Sequence, residues 1–147
     1  MPGLFSFFGI QHDQSEWRLF SDSNKRSLKA VLLHNGNQYP CIPVVHSAIL
    51  KESYDNMVII LNALSYEQYS WKICGNLKVI CLLLSMQKDF TKFCCFLCLW
   101  ESRATNEHYK MKKWEPRQNF VSGQHNVSHD SLVLPENIFF FHLFTSN

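Results

Sequence analysis

The 147-residue chain lacks any apolar run near the ~20 residues that cross a bilayer; its longest, Val79 to Leu84 and Phe93 to Trp100, fall far short, and no membrane partner is expected. It has no glycine-rich phosphate loop, no Ser/His/Asp order, no nucleophilic Cys/His context, no internal repeat and no low-complexity tract. No small-molecule substrate is therefore expected. Excess charge is missing too: 14 basic against 12 acidic residues leave a net +2, so any affinity for nucleic acid has to come from local clusters. Met1 to Phe8 shows no charged and apolar leader pattern. The six cysteines are accordingly expected to be reduced thiols in an intracellular protein, of the nucleus or cytoplasm, and Asn126-Val127-Ser128 to be a chance glycosylation match.

What is present is material for a core. Hydrophobic residues make up 46% and aromatics 14%, well outside a disordered composition, and the length suits one domain. After a weakly patterned lead-in, residues 1–15, the alternation from Trp17 to Asp22 predicts a first strand. Asn24-Lys25-Arg26 turns the chain into a second, Leu28 to His34, and Asn35-Gly36 signals a hairpin into a third, Tyr39 to His46. Pro40 and Pro43 cannot donate ladder hydrogen bonds, so this third strand belongs at a sheet edge. Helical spacing of Tyr54, Met57, Val58, Leu61 and Leu64 predicts a helix over Glu52 to Leu64. A short strand from Trp71 to Gly75, a helix from Leu77 and a buried strand from Phe93 to Leu97 follow. The expected fold is mixed α/β: a five-stranded mixed sheet flanked by helices within residues 16–100. Residues 101–147 read as a polar, partly disordered, irregular tail. Its apolar end, Ile138 to Phe144, is expected to promote self-association.

This order of elements is the ribonuclease-H-like one, in which the ends of the first and fourth strands meet and acids there hold catalytic metal ions. Here those ends carry Asp22 and Asn76, one carboxylate and one amide, and an amide brings a ligand oxygen without charge. The plainer alternative is that Asp22 opens a turn and Asn76 caps the following helix. Cys95 and Cys98 have the spacing of a Zn²⁺ pair; His108 is the nearest further ligand candidate, with His125, His129 and His142 beyond it, although cysteines are equally at home as small buried hydrophobes. Between His108 and Arg117, the cations Lys110, Lys112, Lys113 and Arg117 alternate with Tyr109 and Trp114. That composition suits phosphate contacts and base stacking, and it also suits a solvated loop.

Four stretches carry a family resemblance: Glu16 to Phe20 with Asp22-Ser23, Ser27 to Asn37, Cys74-Gly75-Asn76-Leu77-Lys78-Val79, and Phe93-Cys94-Cys95-Phe96-Leu97-Cys98. Together they resemble a family of uncharacterised, transposon-derived proteins abundant in arthropod genomes, relics of DDE-type transposases. The resemblance implies a ribonuclease-H-like core in which Asp22 matches the first acid, Asn76 the second and Cys95/Cys98 a metal-type pair following it. The family carries Asp where this chain has Asn76, its third acid would lie beyond Asn147, and Phe140-Phe141-His142-Leu143 stands where relatives continue with a Pro-Pro-Leu-His block. The implied protein is a truncated, catalytically inactive remnant whose ancestral Mg²⁺ site is lost. The alternative is a zinc-dependent nucleic-acid or protein binding module.

Overall fold

The computed structural model describes residues 2–23, 27–87 and 91–138. Its class is mixed α/β, with elements in the order α1 (Pro2–Phe7), β1 (Trp17–Ser23), β2 (Leu28–His34), β3 (Ile42–Ser47), α2 (Tyr54–Ala63), α3 (Tyr66–Tyr69), β4 (Lys72–Gly75) and α4 (Leu77–Leu83). The chain divides into two compact units, residues 1–80 with 134–147, and residues 81–133. The expected boundary at residue 100 is therefore replaced by a departure within α4 and a return at Leu134.

The first unit is built on a four-stranded sheet in the order β3-β2-β1-β4. β1 pairs antiparallel with β2 from Trp17↔His34 to Ser23↔Leu28, and β2 pairs antiparallel with β3. β4 lies parallel to β1, with Ser21 opposite Gly75. Period-2 alternation explains β1 and β2: Trp17, Leu19, Ser21 and Ser23, and then Leu28, Ala30, Leu32 and His34, all point to the buried side. β3 starts at Ile42 instead of Tyr39, leaving Pro40 outside it, and with Pro43 inside it lies at the sheet edge. The connection from β2 to β3 is longer than the tight hairpin that Asn35-Gly36 suggested, since Leu32 already pairs with Ile42. The ring of His34 holds this wider turn, its Nδ1 accepting from Gly36 N–H at 3.1 Å.

α2 begins at Ser53, whose Oγ accepts the Asn56 N–H at 3.2 Å, and buries Met57, Ile60 and Leu61. The lead-in proves to be part of the core. Phe5 is buried, with its ring centroid 5.3 Å from Trp17 and 4.5 Å from His12. Trp71 is fully buried, stacks on Tyr69 at 4.7 Å and donates its indole N–H to His12 Nε2 at 2.8 Å. Burial pushes the Tyr66 phenol up to about 12, so it stays a donor, to the Trp71 carbonyl at 2.8 Å.

No fifth strand forms at Phe93–Leu97. The main chain there is bonded to side chains instead of a ladder: Phe93 N–H donates to Asn126 Oδ1, and the Phe93 and Cys95 carbonyls accept from Arg117. The free edge of β4 is met elsewhere, by a parallel bridge between Ile73 and Ile138. Ile138 is thus buried, and Phe139 to Phe144, the rest of the apolar end, lie outside the described residues.

The second unit has little regular structure beyond the end of α4. Bridges Met86↔Val127 and Cys98↔Pro116 tie it together, with Leu99 N–H donating to Glu115 O at 2.8 Å and Arg117 N–H to Leu97 O at 2.9 Å. Leu82, Leu83, Leu84, Met86, Val127 and Val133 form its small core. Residues 101–133 thus belong to a hydrogen-bonded unit and are no tail.

Candidate functional site: the paired strand ends and the second-unit face

Parallel pairing of β4 with β1 places the Asp22 and Asn76 side chains together at one end of the sheet. Glycine makes the approach possible: a Cβ on Gly75 would collide with the Ser21 carbonyl oxygen. The next residue, Asn76, then does three things. Its Oδ1 accepts the Val79 N–H at 2.9 Å, capping the first turn of α4. Its Nδ2 donates to the Ser23 carbonyl at 3.0 Å and to Asp22 Oδ1 at 2.8 Å. Because Val79 needs an acceptor and Ser23 O needs a donor, these two partners alone fix the amide orientation and turn its NH₂ toward Asp22.

This arrangement does not fit a divalent cation. The amide presents protons, not a lone pair, to the space between the strand ends, and one Asp22 oxygen is already engaged. The buried Ser23 hydroxyl, which has no hydrogen-bond partner among the described residues, adds a neutral oxygen at most. An open cleft of about 690 Å³ lies at the other end of β1, lined by Gln11, His12, Asp13, Gln14, Glu16, Gln68 and Tyr69, and involves neither residue.

In the second unit the basic segment is displayed on an aromatic base. His108 stacks on Trp100 with centroids 4.9 Å apart and meets the Trp114 ring edge-on at 6.1 Å. Tyr109, 97% exposed, stands clear of it, and Lys110, Lys112 and Lys113 are exposed beside it. Arg117 is turned the other way. Its guanidinium donates to the carbonyls of Cys95 (3.1 Å), His125 (3.1 Å) and Phe93 (3.2 Å), so it clamps the main chain of the second unit.

His108 does not join Cys95 and Cys98. Its Nε2 lies 2.7 Å from the Glu101 carbonyl, and among the described residues no three His, Cys, Asp or Glu side chains gather as an ion site. Among the described residues the pair therefore lacks the further ligands of a tetrahedral zinc site, and His142, another expected candidate, lies outside them. What surrounds the pair is another thiol and a cation. Cys81 lies within electrostatic reach of Cys94 and Cys95, and the Arg117 guanidinium within reach of Cys81, Cys95 and Cys98. Burial pushes the Cys81 and Cys98 thiols up, and loss of solvent lowers the Arg117 guanidinium.

Residues 1–133 match the family described as Domain of unknown function (DUF8703). The chain belongs to this family. No curated protein and no solved structure matches it. Asp22, Asn76, the cysteine cluster and the basic segment all fall within the DUF8703 match. Among the described residues no helix is long and apolar enough to cross a membrane. Two contributors escape a reading of spacing. Cys81 comes from α4, at a distance in sequence that no metal motif flags. The Ser23 carbonyl is main chain and leaves no signal in side-chain identity.

Proposed function

We propose that this DUF8703 domain is a ribonuclease-H-like core, related to DDE-type transposases, that has lost its metal-dependent chemistry. The observation that carries this is the 2.8 Å hydrogen bond from Asn76 Nδ2 to Asp22 Oδ1. It lies where the parallel β1 and β4 end side by side, in a sheet ordered β3-β2-β1-β4. In an active site of that class two carboxylates at these ends share divalent ions; here an amide takes one place and neutralises the need for a cation by donating to the remaining acid. The domain then has no strand-transfer or nuclease activity of its own.

Asn76→Asp tests this. The substitution removes two donors and sets a second carboxylate beside Asp22, so in chelator the domain is expected to lose about 2 kcal/mol of stability, moderated by the exposure of Asp22. Added Mn²⁺ or Mg²⁺ is expected to restore it and to bind at least tenfold tighter than to the wild type in calorimetry. Equal affinities would separate the strand ends from any ancestral ion site, and metal-dependent nicking by the wild type would overturn the inactive reading.

A second reading, a nucleic-acid binding module, is favoured by Tyr109 and the lysines around it. Stacking of a base on an exposed aromatic contributes about 1–3 kcal/mol, and each phosphate neutralised on a single strand adds about 0.7 to the salt slope. Fluorescence anisotropy with a single-stranded oligonucleotide is expected to show Tyr109→Ala weakening binding roughly tenfold. Replacing Lys110, Lys112 and Lys113 by Ala is expected to lower the slope of log K against log salt by about 2. Unchanged affinity in both variants would leave the segment a solvated loop.

A further inference from the structure

We propose that the Asn35-Gly36 step is a self-deamidation site, at which His34 is the base that drives the Asn35 side chain through a cyclic imide to a carboxylate. It is the one Asn-Gly step in the chain, and both residues are exposed in the turn between β2 and β3. The structure adds the base to the motif. Gly36 N–H, the nucleophile of imide formation, donates to His34 Nδ1 at 3.1 Å, and Gln38 N–H donates to the same nitrogen at 3.4 Å, so the lone pair of the ring lies at Nδ1. The approach depends on glycine, since a Cβ on residue 36 would press on His34 Cε1 at 3.2 Å. The ring is held where it is: His34 is buried, with its centroid 5.2 Å from Trp17 and 5.1 Å from Tyr39. On its far side Nε2 lies 3.8 Å from Glu16 Oε2, a counter-charge for the ring once it has taken a proton.

The reaction balances with water alone. His34 Nδ1 takes the Gly36 amide proton as the Gly36 nitrogen bonds to Asn35 Cγ and closes a five-membered ring; the Cγ–Nδ2 bond breaks, and Nδ2 recovers the proton from His34 and leaves as ammonia. Water then opens the imide. Attack at Cγ gives an aspartate, and attack at the main-chain carbonyl gives an isoaspartate, with the chain routed through Cβ. No electron is transferred. Asn35 is held in the turn by its main-chain N–H on the Glu16 carbonyl at 2.8 Å and by Nδ2 on the Ser15 carbonyl at 2.6 Å. Either product replaces that Nδ2 donor by a carboxylate, so the reaction is a one-way timer on the contact between the end of β2 and the segment that enters β1.

The folded full-length protein and a synthetic peptide of residues 31–39, incubated side by side at neutral pH, provide the test, read by the mass of the residue-35 peptide and by released ammonia. The folded chain is expected to convert about a hundredfold faster than the peptide, the low end of what a positioned general base contributes, while the other asparagines remain amides. His34→Gln, which keeps an acceptor for the Gly36 N–H but no basic nitrogen, is expected to fall to the rate of the peptide. Glu16→Asp is expected to retain most of the wild-type rate where Glu16→Gln loses it, a rescue that packing alone would not give. A folded rate no faster than the peptide's would overturn the proposal, and that comparison needs no variant to fold. So would a His34→Gln protein, folded by circular dichroism, that reacts as fast as the wild type, or conversion of other asparagines in preference to Asn35.

Discussion

Trp71→Ala is expected to cost about 4 kcal/mol, a large part of the roughly 5–15 kcal/mol that holds a domain folded. Trp71 is fully buried at the entry to β4, and its ring is the surface on which Tyr69 stacks and beside which Phe5 and His12 settle. Truncation opens a large cavity and also strands His12, which loses the indole donor it accepts from at 2.8 Å. Trp17→Phe makes the contrast: Trp17 is equally buried, but its indole N–H has no hydrogen-bond partner among the described residues, so removing that atom offsets part of the lost packing. Chemical denaturation of the two variants should show Trp17→Phe well below half the loss of Trp71→Ala. The same cluster carries a pH signature. Burial lowers the His12 pKa, with a smaller opposing influence from Asp13, so the folded state holds the neutral imidazole. Between that lowered value and the ordinary His value of about 6.5 the unfolded chain binds more protons. Stability should therefore fall as pH drops below about 6.5, and His12→Phe should flatten that slope.

Gly75→Ala is expected to cost about 3 kcal/mol, at the upper end for an added methyl, because the collision is with main chain. The Ser21 carbonyl belongs to β1 and pairs opposite Gly75, so relief requires the two parallel strands to part at their ends. That movement draws Asn76 away from Asp22. Thermal denaturation gives the loss, and the divalent-ion affinity of the double variant Gly75→Ala/Asn76→Asp gives the geometry: it should fall back toward the wild-type value even though both carboxylates are present. Retained affinity would mean that the strand ends do not depend on this close contact.

The elements legible in the sequence are those where one physical signal acts alone. Trp17 to His34 alternates because one face of each strand is covered, and Pro40 and Pro43 mark the edge because a missing N–H is tolerable only there. Cys74-Gly75-Asn76 was readable both as a strand end and as a helix cap, and it is both: Asn76 caps α4 while it meets Asp22. Phe93 to Leu97 reads as a strand because a short apolar run looks alike whether its main chain is satisfied by a neighbouring strand or by Asn126 and Arg117. His108 was drawn to the cysteine pair by spacing, whereas stacking on Trp100 and a bond to Glu101 O hold it away. Phe5 gave no sign, since a single aromatic in a patternless lead-in carries no period.

The bridge from Ile73 to Ile138 bears on the order in which the chain can mature during synthesis. Strands β1 to β4 and α1 are complete once residue 75 has emerged, yet the outer side of β4 acquires its neighbour only after the whole of residues 81–133 has been made. At roughly 5–20 residues per second, that leaves the edge uncovered for several seconds on the ribosome. An uncovered edge is a template for another strand. The nascent chain is thus most prone to mispairing in that interval, and slowing elongation across residues 81–133 should increase the aggregated fraction without altering a single contact of the finished protein.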